Sequence, residues 1–99
     1  MPKKEEQIRK ATVGESLILS IPANPTTGYM WEIELCDSRL EFSRLPYRRL
    51  SGKIGGGGVQ EFKITARLAG DFEIRFILKR PWGTEPKEVR IYRISVKQK

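Results

Sequence analysis

Histidine is absent from the 99 residues, and its absence removes much of the usual acid–base and metal chemistry of proteins. Without an imidazole there is no Ser–His or Cys–His dyad and no histidine metal ligand. The sequence also shows no pair of carboxylates at a catalytic spacing and no phosphate-loop lysine. These gaps predict a binding protein that is not an enzyme and that needs neither a metal nor a cofactor.

Cysteine is almost as scarce, since Cys36 is the single one. One cysteine excludes an internal disulfide and permits a reducing compartment. No histidine is present to convert its thiol into a thiolate. We therefore expect Cys36 to act as a small buried or half-buried hydrophobe.

Long apolar runs are missing too. No stretch approaches the ~20 residues of a membrane-spanning helix, so we expect no membrane partner. Met1 to Lys10 is charged and lacks the apolar centre of a signal peptide. As the sequence stands, we expect a cytoplasmic protein, and removal of a signal peptide from the natural protein stays open.

The composition is that of a small folded domain. Hydrophobic residues make up 38% and charged residues 31%, which predicts one globular domain over residues 1–99 and a monomer. The net charge of +7 favours acidic partners, nucleic acid or an anionic surface. The same charge also serves solubility, which is the simpler interpretation.

Apolar residues alternate with polar ones through most of the chain, and no window predicts a helix of ten or more residues. This period of two predicts six or seven strands: 5–13, 16–22, 29–36, two through the alternating residues of 62–68 and 72–78, and about 88–97. Residues 39–50 are the least readable, since Leu40, Phe42 and Leu45 could form a short strand and Pro46 argues against a continuous central one. Short strands with turns between them at this length predict an all-β fold, an immunoglobulin-like antiparallel β-sandwich.

Individual side chains can also be assigned to faces. We expect Pro22 to end the second strand. Two sets should point inward: Trp31, Ile33 and Leu35; and Tyr92, Ile94 and Val96. Phe62, Ile64, Ala66 and Leu68 alternate cleanly and should share one face. In the last strand Val89 and Ile91 are also apolar but fall on the opposite face. A bulge near Ile91 is the alternative to placing Tyr92, Ile94 and Val96 inward.

Three loops have unusual sequences. Asn24-Pro25-Thr26-Thr27-Gly28-Tyr29 is a turn stiffened by proline, with two threonine hydroxyls to project. The run Gly55-Gly56-Gly57-Gly58 precedes a strand, and Arg80-Pro81-Trp82 precedes Gly83 at the tip of a hairpin. Because alternate loops of an antiparallel sandwich emerge at the same end, we expect the three to lie together as a binding surface.

These three motifs, in this order and spacing, resemble the signature of the chagasin-type inhibitors of papain-like cysteine peptidases. The resemblance extends from about Val13 to Val96. Tyr29 stands where phenylalanine is frequent in that family, and a fourth glycine fills the variable position of its glycine motif. The resemblance implies an immunoglobulin-like fold, in agreement with the strand pattern.

The resemblance also implies a mode of action. Residues Asn24, Pro25, Thr26, Thr27, Gly28 and Tyr29 would enter the active-site cleft, with Thr26 and Thr27 over the catalytic cysteine of the target. The glycines Gly55, Gly56, Gly57 and Gly58 would bring backbone close to backbone on one side, and Arg80, Pro81 and Trp82 would hold the other. We expect Trp82 to be exposed, and glycine substitutions to weaken inhibition without lowering the melting temperature.

Each motif also has a simpler interpretation. The first loop alone is a well-formed turn, the glycines alone are a hairpin end, and Trp82 could fold back on its own domain.

Two other functions stay open at this point. Arg44, Arg48, Arg49 and Lys53, with Tyr47 and Trp82, could form a basic nucleic-acid surface. A cell-surface adhesion module is the third candidate.

Overall fold

A computed structural model describes residues 3–24, 27–49 and 57–99. It contains eight strands: β1 Lys3–Thr12, β2 Ser16–Ala23, β3 Met30–Cys36, β4 Leu40–Arg44, β5 Arg48–Arg49, β6 Gly58–Ala66, β7 Gly70–Lys79 and β8 Glu88–Lys97. The predicted strands are confirmed, and the two-residue β5 was not predicted. The break between β4 and β5 lies at Pro46, where the sequence argued against a continuous strand.

The strands form two sheets, one in the order β1-β8-β7-β3 and the other in the order β2-β6-β4, with β5 also paired to β6. Strands β1 and β8 run parallel, and every other described pair is antiparallel. The immunoglobulin-like β-sandwich is therefore confirmed, with one parallel pair at the edge of the first sheet.

Inward-facing side chains from both sheets form the core. It contains Leu19, Ile21, Trp31, Leu40, Phe62, Ile64, Ala66, Phe72, Ile74, Phe76, Tyr92, Ile94 and Val96. The alternation in β6, β7 and β8 predicted these faces, because successive side chains of a strand point to opposite sides of the sheet. Burying a large apolar side chain stabilises a domain by about 1.5–3 kcal/mol, so these positions fix the register.

One inward assignment in β3 is wrong. The pairing of β3 with β7 shifts between Ile33 and Leu35, so a bulge at Glu34 reverses the faces beyond it. Leu35 is consequently 49% exposed, and Cys36 packs against the core in its place. The half-buried Cys36 that the sequence predicted is confirmed.

Two further assignments need correction. Leu68 is 57% exposed because β6 ends at Ala66 and the turn carries Leu68 outward.

Pro22 does not end β2, which continues to Ala23. The Pro22 carbonyl accepts a hydrogen bond from the Trp31 indole at 3.0 Å, so this residue's backbone faces the unpaired edge of β2. Proline's missing N–H costs no ladder hydrogen bond there.

The choice of face in β8 is confirmed. Tyr92, Ile94 and Val96 are buried in the core, and the pairing of β7 with β8 shows no shift near Ile91. Ile91 is nevertheless only 2% exposed, on the outer face between its register neighbours Arg75 and Glu6. Long charged side chains cover apolar surface with their stems while the charged ends stay in water.

The strand registers bring the predicted loops to one end of the sandwich. Ala23 pairs with Gly58, Met30 with Lys79, and Leu78 with Glu88. The chain segments after β2, before β6 and after β7 therefore leave the sheets at the same end, which we call the loop end. None of the described residues belongs to a helix that is long and apolar enough to span a membrane.

Candidate functional site

The first loop is closed by its own threonine. The Asn24 carbonyl accepts hydrogen bonds from the Thr27 backbone N–H at 3.1 Å and from the Thr27 hydroxyl at 2.8 Å. The same hydroxyl accepts a longer bond from the Tyr29 N–H at 3.4 Å. Thr27 is exposed, but its hydroxyl is turned to its own loop, so the expected projection of that group is wrong. Pro25 and Thr26 lie outside the described residues.

The third loop is a tight turn that presents an indole. The Gly83 N–H donates to the Arg80 carbonyl at 2.9 Å, and the Lys79 ammonium donates to the Gly83 carbonyl at 3.1 Å. Trp82 at the tip is 75% exposed. The exposed Trp82 is confirmed, and the alternative in which it folds back on its own domain is wrong.

The first and third loops touch. The Arg80 guanidinium lies 4.7 Å from the centre of the Tyr29 ring and 6.0 Å from that of Trp82, and the Lys87 ammonium lies 4.9 Å from the Tyr29 ring. Cations over aromatic rings are attracted by about 0.5–1 kcal/mol each at exposed sites. Tyr29 thus joins the two loops from beneath.

Gly28 is required by its backbone conformation. Its φ is +86°, a region that side chains with a Cβ rarely adopt. A Cβ there would lie 3.4 Å from the Trp82 Cη2 atom, which is an ordinary van der Waals contact. The turn in the first loop therefore depends on this glycine, which also lies against the Trp82 ring of the third loop.

The last glycine of the glycine run has a structural role. Gly55 and Gly56 lie outside the described residues, and Gly57 is half-buried just before β6. Gly58 is the buried first residue of β6, where a Cβ would overlap the Arg48 carbonyl oxygen and the Tyr47 hydroxyl. This overlap predicts that a substitution at Gly58 lowers stability, contrary to the expectation from the sequence.

A recess separates the first loop from the start of β6. Its volume is about 470 Å³, and Thr27 and Tyr29 face Gly57 and Val59 across it, with Leu78 among the residues that line it. The loop end thus combines a projecting indole with an apolar depression. A projecting indole can fill a pocket on a partner, as the dominant residues of interfaces often do.

The stems of the loops are joined by residues that the sequence analysis did not single out. The Gln60 side chain bonds both backbone groups of Trp31, at 2.8 Å to its N–H and 3.3 Å to its carbonyl. The Arg90 guanidinium lies 5.2 Å from the centre of the Trp31 ring and pairs with Glu88 at 2.9 Å. The sequence did contain a signal for Gln60, because it is a polar residue at a position of β6 that the alternation assigns to the inner face.

The single thiol of the sequence lies away from the loop end. Cys36 closes β3 at the opposite end, and burial together with the charge of Asp37 raises the pKa of its thiol. A thiol with a raised pKa stays protonated and is a poor nucleophile. Among residues 3–24, 27–49 and 57–99 no cluster of metal-ligating side chains occurs.

Comparison with known proteins agrees with this geometry. The family model of the chagasin family peptidase inhibitor I42 matches residues 10–96. Chagasin of Trypanosoma cruzi is 30% identical over 76 residues, which cover 71% of this chain and 69% of chagasin. Amoebiasin-1 of Entamoeba histolytica is 32% identical over 73 residues, covering 71% of this chain and 70% of its own.

A solved structure of PbICP-C in complex with falcipain-2 has the same fold. The TM-score is 0.68 at 19% identity, and the match covers 99% of this chain and 91% of that one. With the family model matching most of the residues, the resemblance seen in the sequence is confirmed. The chain belongs to the chagasin family, and it is a cysteine peptidase inhibitor and not an enzyme.

Proposed function

We propose that this protein inhibits papain-like cysteine peptidases reversibly by inserting its loop end into the active-site cleft. The observation that carries the proposal is the contact between the first and third loops. Arg80 and Tyr29 join them, and Trp82 projects beside Gly28. Preorganised loops bind more tightly because less conformational entropy is lost on association.

Each part of the loop end has a role in this proposal. The turn from Asn24 to Tyr29, with Pro25 and Thr26 included, enters the cleft above the catalytic cysteine. Gly55, Gly56, Gly57 and Gly58 approach one wall of the cleft, and Arg80, Pro81 and Trp82 hold the other. Tryptophan and arginine are the residues that most often dominate binding energy in interfaces.

The hydrogen bonds inside the first loop refine the role of Thr27. Its hydroxyl is engaged with Asn24 and Tyr29, so it holds the turn in shape. Thr27 would then meet the peptidase through its methyl group and its backbone. Polar contact with the catalytic centre would fall to the backbone of the loop and to Thr26.

Complex formation by a protein of the same fold supports the proposal. PbICP-C was solved in complex with falcipain-2. The described residues give the nucleic-acid alternative no comparable support. Arg48 pairs with Glu61 at 3.2 Å, and Tyr47 packs at Gly58. Tyr47 and Arg48 are thus engaged within the fold, and Lys53 lies outside the described residues.

The proposal is tested by titrating the protein against papain at several substrate concentrations. We expect the apparent inhibition constant to rise with substrate concentration, as it does for a competitive inhibitor. Trypsin is the control, because it has a serine nucleophile and a different cleft, and its rate should not change. Full papain activity at micromolar inhibitor would contradict the proposal.

A further inference from the structure

In the part of the chain that the structure describes, one polar side chain is buried in the apolar core. Gln60 is 3% exposed, on the inner face of β6 between Gly58 and Phe62. Removing an amide from water is costly unless its hydrogen bonds are replaced. A leucine or methionine would fill the same space without that cost, so the amide calls for a specific explanation.

Both ends of the amide bind the backbone of the opposite sheet. Oε1 accepts from the Trp31 N–H at 2.8 Å, and Nε2 donates to the Trp31 carbonyl at 3.3 Å. Strand β3 lies at the edge of its sheet, so no strand among the described residues is available to bond these backbone groups. Gln60 supplies what a strand would supply and thereby bridges the two sheets at one point.

The bridge lies directly beneath the loops. Trp31 is two residues beyond Tyr29, where the first loop enters β3, and Gln60 is two residues beyond Gly58, where the glycine run enters β6. The Trp31 indole N–H donates to the Pro22 carbonyl at 3.0 Å, on the other stem of the first loop. A single set of hydrogen bonds therefore connects the stems of two loops.

We propose that Gln60 is a positioning residue, whose amide fixes the separation between the first loop and the glycine run so that both fit one cleft. This inference rests on the function proposed above. A fixed separation favours binding, because two loops that move independently in the free protein must lose that freedom when they bind one cleft, and this loss weakens binding. The Arg80–Tyr29 contact performs the matching task between the first and third loops.

The first test compares two core substitutions at opposite ends of the sandwich. Gln60→Met keeps the volume and removes the amide, while Val96→Ala truncates a core residue that pairs with Gly70, far from the loops. For Gln60→Met we expect the dissociation constant for papain to rise roughly tenfold. For Val96→Ala we expect a lower melting temperature with the dissociation constant changed less than about twofold.

A second readout needs no peptidase. Hydrogen exchange of the Thr27 and Tyr29 amides reports whether the first loop is held in place. We expect Gln60→Met to speed exchange at both amides by roughly tenfold and Val96→Ala to leave them as in the parent. If the parent does not inhibit papain, the proposed function fails, while this readout still decides whether Gln60 orders the loop.

The third test uses pH to restore the donor. In Gln60→Glu the ionised carboxylate can still accept from the Trp31 N–H but cannot donate to the Trp31 carbonyl. Burial raises the pKa of such a carboxyl, and its protonated form has the shape and the donor of the original amide. Papain binding by Gln60→Glu should therefore strengthen as the pH falls from about 7 to about 5, by several-fold relative to the parent.

These outcomes decide the inference together. The inference is overturned if Gln60→Met binds papain as tightly as the parent. It is also overturned if Val96→Ala lowers the melting temperature as much as Gln60→Met does and loses as much affinity for papain. If Gln60→Met does not fold, the pH series of Gln60→Glu decides alone. A flat ratio between Gln60→Glu and the parent across that range then contradicts the inference.

Discussion

At the scale of single residues, the two tryptophans show how position decides the role of a side chain. Trp31 is 1% exposed and lies in the core, while Trp82 is 75% exposed at the tip of a turn. The sequence predicted both environments. Alternation placed Trp31 inward, and Trp82 was expected at the tip of a hairpin, between Pro81, which stiffens the chain, and Gly83, which ends that constraint. An indole left in water favours a role in binding.

Trp82→Ala should separate binding from folding. We expect it to cost at least ~2 kcal/mol of binding to papain, roughly thirtyfold in dissociation constant, mainly as faster dissociation. The free energy of unfolding should change by less than ~0.5 kcal/mol, as for other surface substitutions. Inhibition constants and denaturant midpoints measure the two effects.

Trp31→Ala is the matched control for Trp82→Ala. It removes a buried ring and its hydrogen bond to Pro22, and should cost ~3–5 kcal/mol of stability. The assignment of the two tryptophans is wrong if Trp82→Ala unfolds the protein, or if it inhibits papain as well as the parent does.

Thr27→Val tests the internal hydrogen bonds of the first loop. Valine keeps the shape and the branching at Cβ but removes the hydroxyl that bonds the Asn24 carbonyl and the Tyr29 N–H. Losing this bond should weaken papain binding by roughly 3–10-fold, because a typical net contribution is about 0.5–1.5 kcal/mol.

Thr27→Ser is the control for that substitution, since serine keeps the hydroxyl and loses only a methyl group. It should bind within about twofold of the parent if the hydroxyl shapes the loop. The reverse order, with valine tolerated and serine weak, would show that the methyl contact matters and the hydrogen bond does not.

At the scale of elements, strands whose apolar residues alternate without interruption were predictable, and the local departures from alternation were not. In β7 the inward residues Phe72, Ile74 and Phe76 follow directly from the period of two. The bulge at Glu34 reverses the faces of Leu35 and Cys36. The sequence of β3 continues to alternate through Glu34 and Leu35, so the hydrophobic pattern does not mark Glu34 as the extra residue.

Gly58→Ala tests whether the end of the glycine run belongs to the fold. The added Cβ would overlap the Arg48 carbonyl and the Tyr47 ring, so β5 and β6 would have to separate. We expect a loss of stability of about 1–3 kcal/mol, the usual range for overpacking, measured by denaturant unfolding.

Gly57→Ala, one residue before the strand, is the companion to Gly58→Ala. We expect it to weaken papain binding while leaving the denaturant midpoint close to that of the parent. If Gly58→Ala is as stable as the parent, the close approach of β5 and β6 at this residue is not required by the fold.

At the scale of the whole molecule, charge determines how the protein responds to acid. The hydrogen bond from Arg39 lowers the pKa of Asp37 to about 2, and hydrogen bonds from Ser20 and Arg48 lower the pKa of Glu61. A carboxyl whose pKa is lowered on folding contributes stability above its unfolded pKa, and loses it as the pH falls through the folded value.

The melting temperature should therefore be nearly the same at about pH 7 and about pH 5, because both carboxyls stay largely ionised over that range in the folded and unfolded chain. It should fall as the pH drops from about 4 towards about 2. Thermal unfolding across that range checks the prediction. A marked fall between about pH 7 and about pH 5 would mean that another group controls acid stability.

The arrangement of the loops was predictable at this scale, and their mutual contacts were not. Strand order alone brings the three segments to one end. The contact of Arg80 and Lys87 with Tyr29, and the bridge from Gln60 to Trp31, join residues distant in sequence whose spacing carries no periodic signal. Such contacts depend on how the two sheets are placed against each other.

The central claim is that the loop end occupies the active-site cleft of a papain-like peptidase. Calorimetry with two forms of papain tests it most directly, one with a free cleft and one whose catalytic cysteine carries a covalent peptide inhibitor that fills the cleft. We predict tight binding to the free form and none to the blocked form. Equal binding to both forms would contradict the account, because the inhibitor would then bind outside the cleft.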